Sequence, residues 1–123
     1  MTDREIKNTY ERNGYVVVKN FINDSDLNPI RGFIKARVDE YAHQQYIEDK
    51  LSSPYADKSF GRRYADICEE QGLVTRGWGL GSFGREFYDL YNLPKILHVL
   101  SLILGPEVSS IGSAQIRAKL PGS

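Results

Sequence analysis

Histidines, cysteines, paired carboxylates and glycine-rich turns are the residues with which a chain does chemistry, and here they are few. His43 and His98 are the only histidines. Neither is part of an H-x-D, an H-x-x-x-H or an H-E-x-x-H. A zinc or iron site needs three or four converging ligands, and no such set is recognisable, so no metal ligand is assigned. Both histidines are expected on helix surfaces or half-buried. Glu69 and Glu70 are adjacent within a helical pattern, so they point in different directions and make poor partners for acid–base work. The lone cysteine, Cys68, stands near Tyr64, Ile67 and Leu73. With no second cysteine or histidine close in sequence, core packing is its expected role. No nucleophile elbow or triad can be assembled, and no catalytic residue is assigned.

A formal G-x-G-x-x-G occurs at Gly79, Gly81 and Gly84. As a phosphate cradle that pattern requires a preceding strand, a following helix within a βαβ unit, and an acidic residue about 20 positions later. Only Leu73-Val74-Thr75 precedes it, and no parallel second strand follows. A flexible loop with an aromatic plug is expected instead of a nucleotide site.

Local signals along the chain delimit the elements that would position any site. Thr2 and Glu5 have the spacing of a capping box, predicting a helix to about Arg12 with Ile6 and Tyr10 inward and Asn13-Gly14 as its stop. Tyr15-Val16-Val17-Val18-Lys19 is β-branched and aromatic, the best strand in the chain. Asn23 to Asp26 offers N-caps for a long helix to about Lys50, with Pro29 in its first turn. Leu27, Ile30, Ile34, Val38 and Tyr41 form its apolar stripe. A third helix is predicted from about Phe60 to Gln71, with Phe60, Tyr64 and Ile67 on one face and Gly72 as its end. Phe87 to Tyr91 gives a short aromatic turn of helix. Pro94 then opens another helix whose interior, Ile96 to Leu104, is apolar nearly all round and should be buried on most sides. From Val108 a polar/apolar alternation reads as one or two strands, with Gly112 a bend or bulge.

Composition adds bounds. At 123 residues, 41% of them apolar and 26% charged, one soluble domain is expected. Sixteen basic residues balance sixteen acidic ones, so no net field favours nucleic acid or an anionic membrane. No apolar run approaches the roughly 20 residues of a membrane span. The unpaired cysteine fits a reducing cytoplasm.

The run from Tyr10 to Ile22 with the helix opening at Asp24, and the run from Leu104-Gly105-Pro106-Glu107-Val108 into Gln115-Ile116-Arg117-Ala118-Lys119-Leu120-Pro121-Gly122-Ser123, together resemble the front part of phytanoyl-CoA dioxygenase-like proteins. The resemblance extends over essentially the whole chain, with its two anchors at the ends. It implies an α+β fold, the helix-rich N-terminal part of a double-stranded β-helix (a cupin-like jelly roll), with the sheet incomplete within residues 1–123 and no second domain. It also implies Fe(II) and 2-oxoglutarate as cofactors of the full-length protein, which would hydroxylate a small-molecule substrate as 2-oxoglutarate is converted to succinate and carbon dioxide. In the family the H-x-D of the iron triad comes after the segment matching Lys119-Leu120-Pro121-Gly122. This chain is therefore expected to bind neither cofactor alone and to be inactive by itself.

Of the family's working positions, Lys119 matches a lysine that contacts 2-oxoglutarate in some members. Gln115 and Arg117, two residues apart on a strand, would share its face and point into a pocket. The bland reading of the three is a row of solvated polar positions on an edge strand, which would also favour β-edge self-association. The alternative function is a small non-catalytic α+β protein, or a remnant of an enzyme, that binds a partner through its aromatic surface.

Overall fold

Thr2 starts the first helix by purely local means. Its hydroxyl accepts the Glu5 backbone N–H at 3.2 Å, and the Glu5 carboxylate accepts the Thr2 N–H at 2.6 Å. This reciprocal box satisfies two donors that the helix itself leaves unpaired. The computed structural model of the chain describes residues 1–73, 84–110 and 116–122. Among these residues there are five helices: α1 (Asp3–Asn13), α2 (Asp24–Ile47), α3 (Phe60–Gln71), α4 (Arg85–Tyr91) and α5 (Pro94–Leu104). Gly14 closes α1 at φ 76°, and Gly72 closes α3 at φ 64°, left-handed backbone that a side chain would strain.

The second helix begins with the same device. Asn23 Oδ1 accepts the Asp26 N–H, and Asp26 Oδ2 accepts the Asn23 N–H, both at 3.0 Å. Because the cap lies at Asn23, Pro29 falls in the second turn and not in the first. There its missing N–H leaves the Ser25 carbonyl without its usual donor. The helix ends at Ile47, short of Lys50, and Asp49 then takes a left-handed φ of 55°.

The expected α+β class is corrected: among the described residues every regular element is a helix, and none is a strand. A strand exists through its hydrogen-bonded neighbour, which alternation alone does not supply. Tyr15 and Val17 are exposed while Val16 and Val18 are half-buried, so the period of two is present in the segment. It pairs with no ladder among the described residues. The described tail, 108–110 and 116–120, likewise forms none. The jelly-roll portion is therefore not what these residues build. The bend expected at Gly112 and the loop through Gly79 and Gly81 lie outside the described residues.

The chain divides into two compact units. One comprises Met1–Asn28 with Gly84–Ser113, the other Pro29–Phe83 with Ala114–Ser123. In the first, α1 packs against α5. Ile6 and Phe87 are buried, but Tyr10, expected to be inward, is exposed. Asp26 holds Lys95, whose ammonium also lies 5.9 Å from the centre of the Phe21 ring. Burial of α5 on most sides is not found: none of its residues is fully buried, and Leu104 is 61% exposed. Uniform apolarity shows that a helix can be covered on every side, and the number of neighbours decides how much of it is.

The second unit holds the denser core, formed by Val38, Ala42, Leu51 and Ile67 with Ile34, Tyr41, Tyr55 and Tyr64 packed around it. Cys68 is fully buried there, and burial pushes its thiol above the usual range, as an inert packing residue requires. Ile67→Ala should lower stability by about 3 kcal/mol in urea denaturation, the cost of a cavity in a well-packed core. Val17→Ala, at a position 66% exposed, should change it by less than about 0.5 kcal/mol.

Candidate functional site

The most developed site lies in the second unit and begins with a buried cation. Arg63 stands on α3 four residues before Ile67 and is therefore carried inward with it; only 7% of it is exposed. Its Nε and Nη2 donate to the Pro54 carbonyl at 3.1 and 2.9 Å, and its Nη1 donates to Asp39 of α2. Asp39 also accepts from Lys35 Nζ, one helical turn earlier, at 2.7 Å. The Lys35 ammonium, and then the Arg63 guanidinium, hold the Asp39 carboxyl below the usual carboxylate range.

The connection between α2 and α3 is tied down from its other side. Glu70 accepts the Ser52 N–H at 2.7 Å and also the Tyr55 hydroxyl. These bonds, Tyr55 first, lower the Glu70 carboxyl, and the bond to Glu70 raises the Tyr55 phenol. Tyr41 donates to Gln71 Oε1 at 2.7 Å, and Gln71 donates to Gln45 Oε1 at 2.9 Å, which links α2 to the end of α3. The adjacent carboxylates Glu69 and Glu70 do separate, Glu69 turning to Arg62 at 3.6 Å.

Against this frame lies a cavity of about 280 Å³, bounded by α2, the connection, the first turns of α3 and residues 116–120. Ile34, Val38, Tyr64, Ile116, Ala118 and Leu120 give it apolar walls, and burial pushes the Tyr64 phenol well above its ordinary value. Lys35, Lys58, Arg63, Arg117 and Lys119 also line it. In the tail Ile116, Ala118 and Leu120 are half-buried, whereas Arg117 and Lys119 are exposed. The latter two thus lie on the solvent side of the segment at the cavity's rim, while the apolar residues between them turn inward. Gln115, expected beside them, lies outside the described residues.

The histidines are placed separately. His43 is exposed on α2 in the second unit. His98 belongs to the first unit, where its Nε2 lies 2.9 Å from Asp3. No group of three or more His, Cys, Asp or Glu among the described residues is placed to hold a metal ion, so these residues do not fit iron. No helix among them is long and apolar enough to cross a membrane.

Sequence reasoning passed over Lys35, Lys58 and Arg63. Arg63 carried a readable signal, since a cation four residues before a core isoleucine must find a buried partner. Lys58 carried none, because a lysine in a connection is usually only solvated. Compared with known protein families, characterised proteins and solved structures, the chain matches none.

Arg63→Ala strips the Pro54 carbonyl of both its donors and should lower stability by about 1–3 kcal/mol in urea denaturation. The Asp39 pair also sets a pH dependence. Because folding lowers its pKa, its contribution is full above the unfolded value of about 3.9 and is lost as pH falls through the folded value. Asp39→Asn should therefore flatten the acid limb of a stability–pH profile while reducing stability at pH 7.

Proposed function

We propose that this chain is the helical part of a phytanoyl-CoA dioxygenase-like, 2-oxoglutarate-dependent hydroxylase, in which Lys119 contacts a carboxylate of the co-substrate. The reading is supported by the two sequence segments that resemble that family, the second of which carries Lys119. The observation that carries it furthest is the position of Lys119 on the rim of a cavity lined by cations. A carboxylate is the chemistry such a rim selects, through charge-assisted hydrogen bonds. The described residues do not fit iron, so oxygen activation is assigned to none of them. What this chain contributes is the holding and orientation of a carboxylate and the shaping of an apolar wall beside it.

The test is succinate release by the product of the complete source gene, supplied with Fe(II) and 2-oxoglutarate. Lys119→Ala should raise the KM for 2-oxoglutarate about tenfold and alter kcat little, as expected when one charged hydrogen bond is lost. An absence of succinate above background contradicts the reading.

One observation favours a second reading, a non-catalytic helical module that binds a partner. The apolar helix α5 has no fully buried residue, and Tyr15, Val17 and Tyr88 are each about two-thirds exposed. A silent succinate assay from a monodisperse, cooperatively folding protein would favour it.

A further inference from the structure

We propose that the cavity of the second unit is a binding site for small monocarboxylates with an apolar, preferably aromatic, body. The inference does not depend on the oxygenase reading; it rests on Lys58, Phe60 and the balance of the lining. Lys58 and Lys119 both line the cavity and make no ion pair among the described residues, whereas Lys35 and Arg63 are engaged with Asp39. No aspartate or glutamate is among the described residues that line it. The site thus carries ammonium groups with no anion of its own, and charge complementarity selects an anionic ligand.

The rest of the lining selects the body attached to that carboxylate. Phe60 opens α3 with half its surface in solvent (50%), an unusual exposure for a phenylalanine beside a packed core, and it lines the same cavity as Tyr64. Two aromatic side chains with Ile34, Val38 and Leu120 offer apolar contact to a ligand's body, and a second carboxylate placed against them would pay the cost of desolvation. A volume of about 280 Å³ lies just below the range of roughly 300–1,000 Å³ usual for ligand pockets. This favours a molecule of phenylacetate size over a nucleotide or coenzyme thioester. The carboxylate would lie between Lys58 and Lys119, with the ring against Phe60 and Tyr64.

The probe is phenylacetate, titrated into the uniformly ¹⁵N-labelled chain and followed by amide spectra. Benzylamine is the control of opposite charge, and 2-oxoglutarate the dicarboxylate control. Saturable shifts are expected in Lys58 to Ala65 and Ile116 to Leu120 with phenylacetate, and none with benzylamine. Lys58→Ala, at an exposed position, should keep the dispersed spectrum of the folded chain and weaken phenylacetate binding about tenfold, with Lys58→Glu weakening it further. The proposal is overturned if phenylacetate gives no saturable shift, if benzylamine binds equally well, or if Lys58→Ala binds undiminished. The result with 2-oxoglutarate separates the two proposals. Tighter binding of the dicarboxylate contradicts the monocarboxylate site and leaves the oxygenase reading intact. Phenylacetate binding alone upholds the site and leaves the oxygenase reading to the succinate assay.

Discussion

The second unit depends on one guanidinium. Arg63 is carried inward by the same helical period that buries Ile67, and a charge in that position is tolerated only with partners. It finds them in two places, the Asp39 carboxylate of α2 and the Pro54 carbonyl of the connection. A single planar side chain thereby joins both helices to the segment between them. Removing the charge and removing its partner are different perturbations. The first leaves a carbonyl without donors, and the second leaves a buried cation, the more damaging condition.

The cavity is a consequence of that arrangement. Because Arg63 and Lys35 are engaged with Asp39, they shape the wall without offering much charge to a ligand. The charge available at the rim comes from Lys58 on the connection and Lys119 on the tail. Both lie on segments without regular structure, held in place by neighbours: the connection by Glu70 and Arg63, and the tail by the inward Ile116, Ala118 and Leu120. A rigid helical frame with polar groups presented from loops is a common way for a fold to build a recognition site. The same geometry gives no support to metal chemistry within the described residues; the oxygenase proposal and the carboxylate site share Lys119 and differ in what else they rest on, the family resemblance for the first and Lys58 with Phe60 for the second.

The helices were legible in the sequence because their signals are local. The capping box at Thr2 and Glu5, the left-handed glycines at 14 and 72, and the apolar stripe of α2 each need only a few neighbouring residues. The sheet was misread for the complementary reason. Tyr15 to Val18 and Ile116 to Leu120 do alternate, and their burial alternates with them, but a ladder depends on a second segment that no local pattern specifies. The cover on α5 was overestimated in the same way, since composition states what a helix prefers to touch and not what reaches it. Of the residues that line the cavity, Lys119 was singled out through resemblance and Arg117 through its spacing of two from Lys119. Arg63 was missed although its spacing from Ile67 announced it, and Lys58 had no signal before the fold brought it beside the tail.

The most direct test of the buried tie is the hydrogen exchange of the Arg63 side chain, read from its Nε–H resonance at neutral pH. The expected result is a signal strongly protected relative to that of Arg85, whose side chain is 87% exposed, because the Arg63 Nε–H donates to the Pro54 carbonyl. An Arg63 Nε–H that exchanges as fast as that of Arg85 in the folded protein would show that the guanidinium does not hold the connection as described, and the frame around the cavity would have to be rebuilt without it.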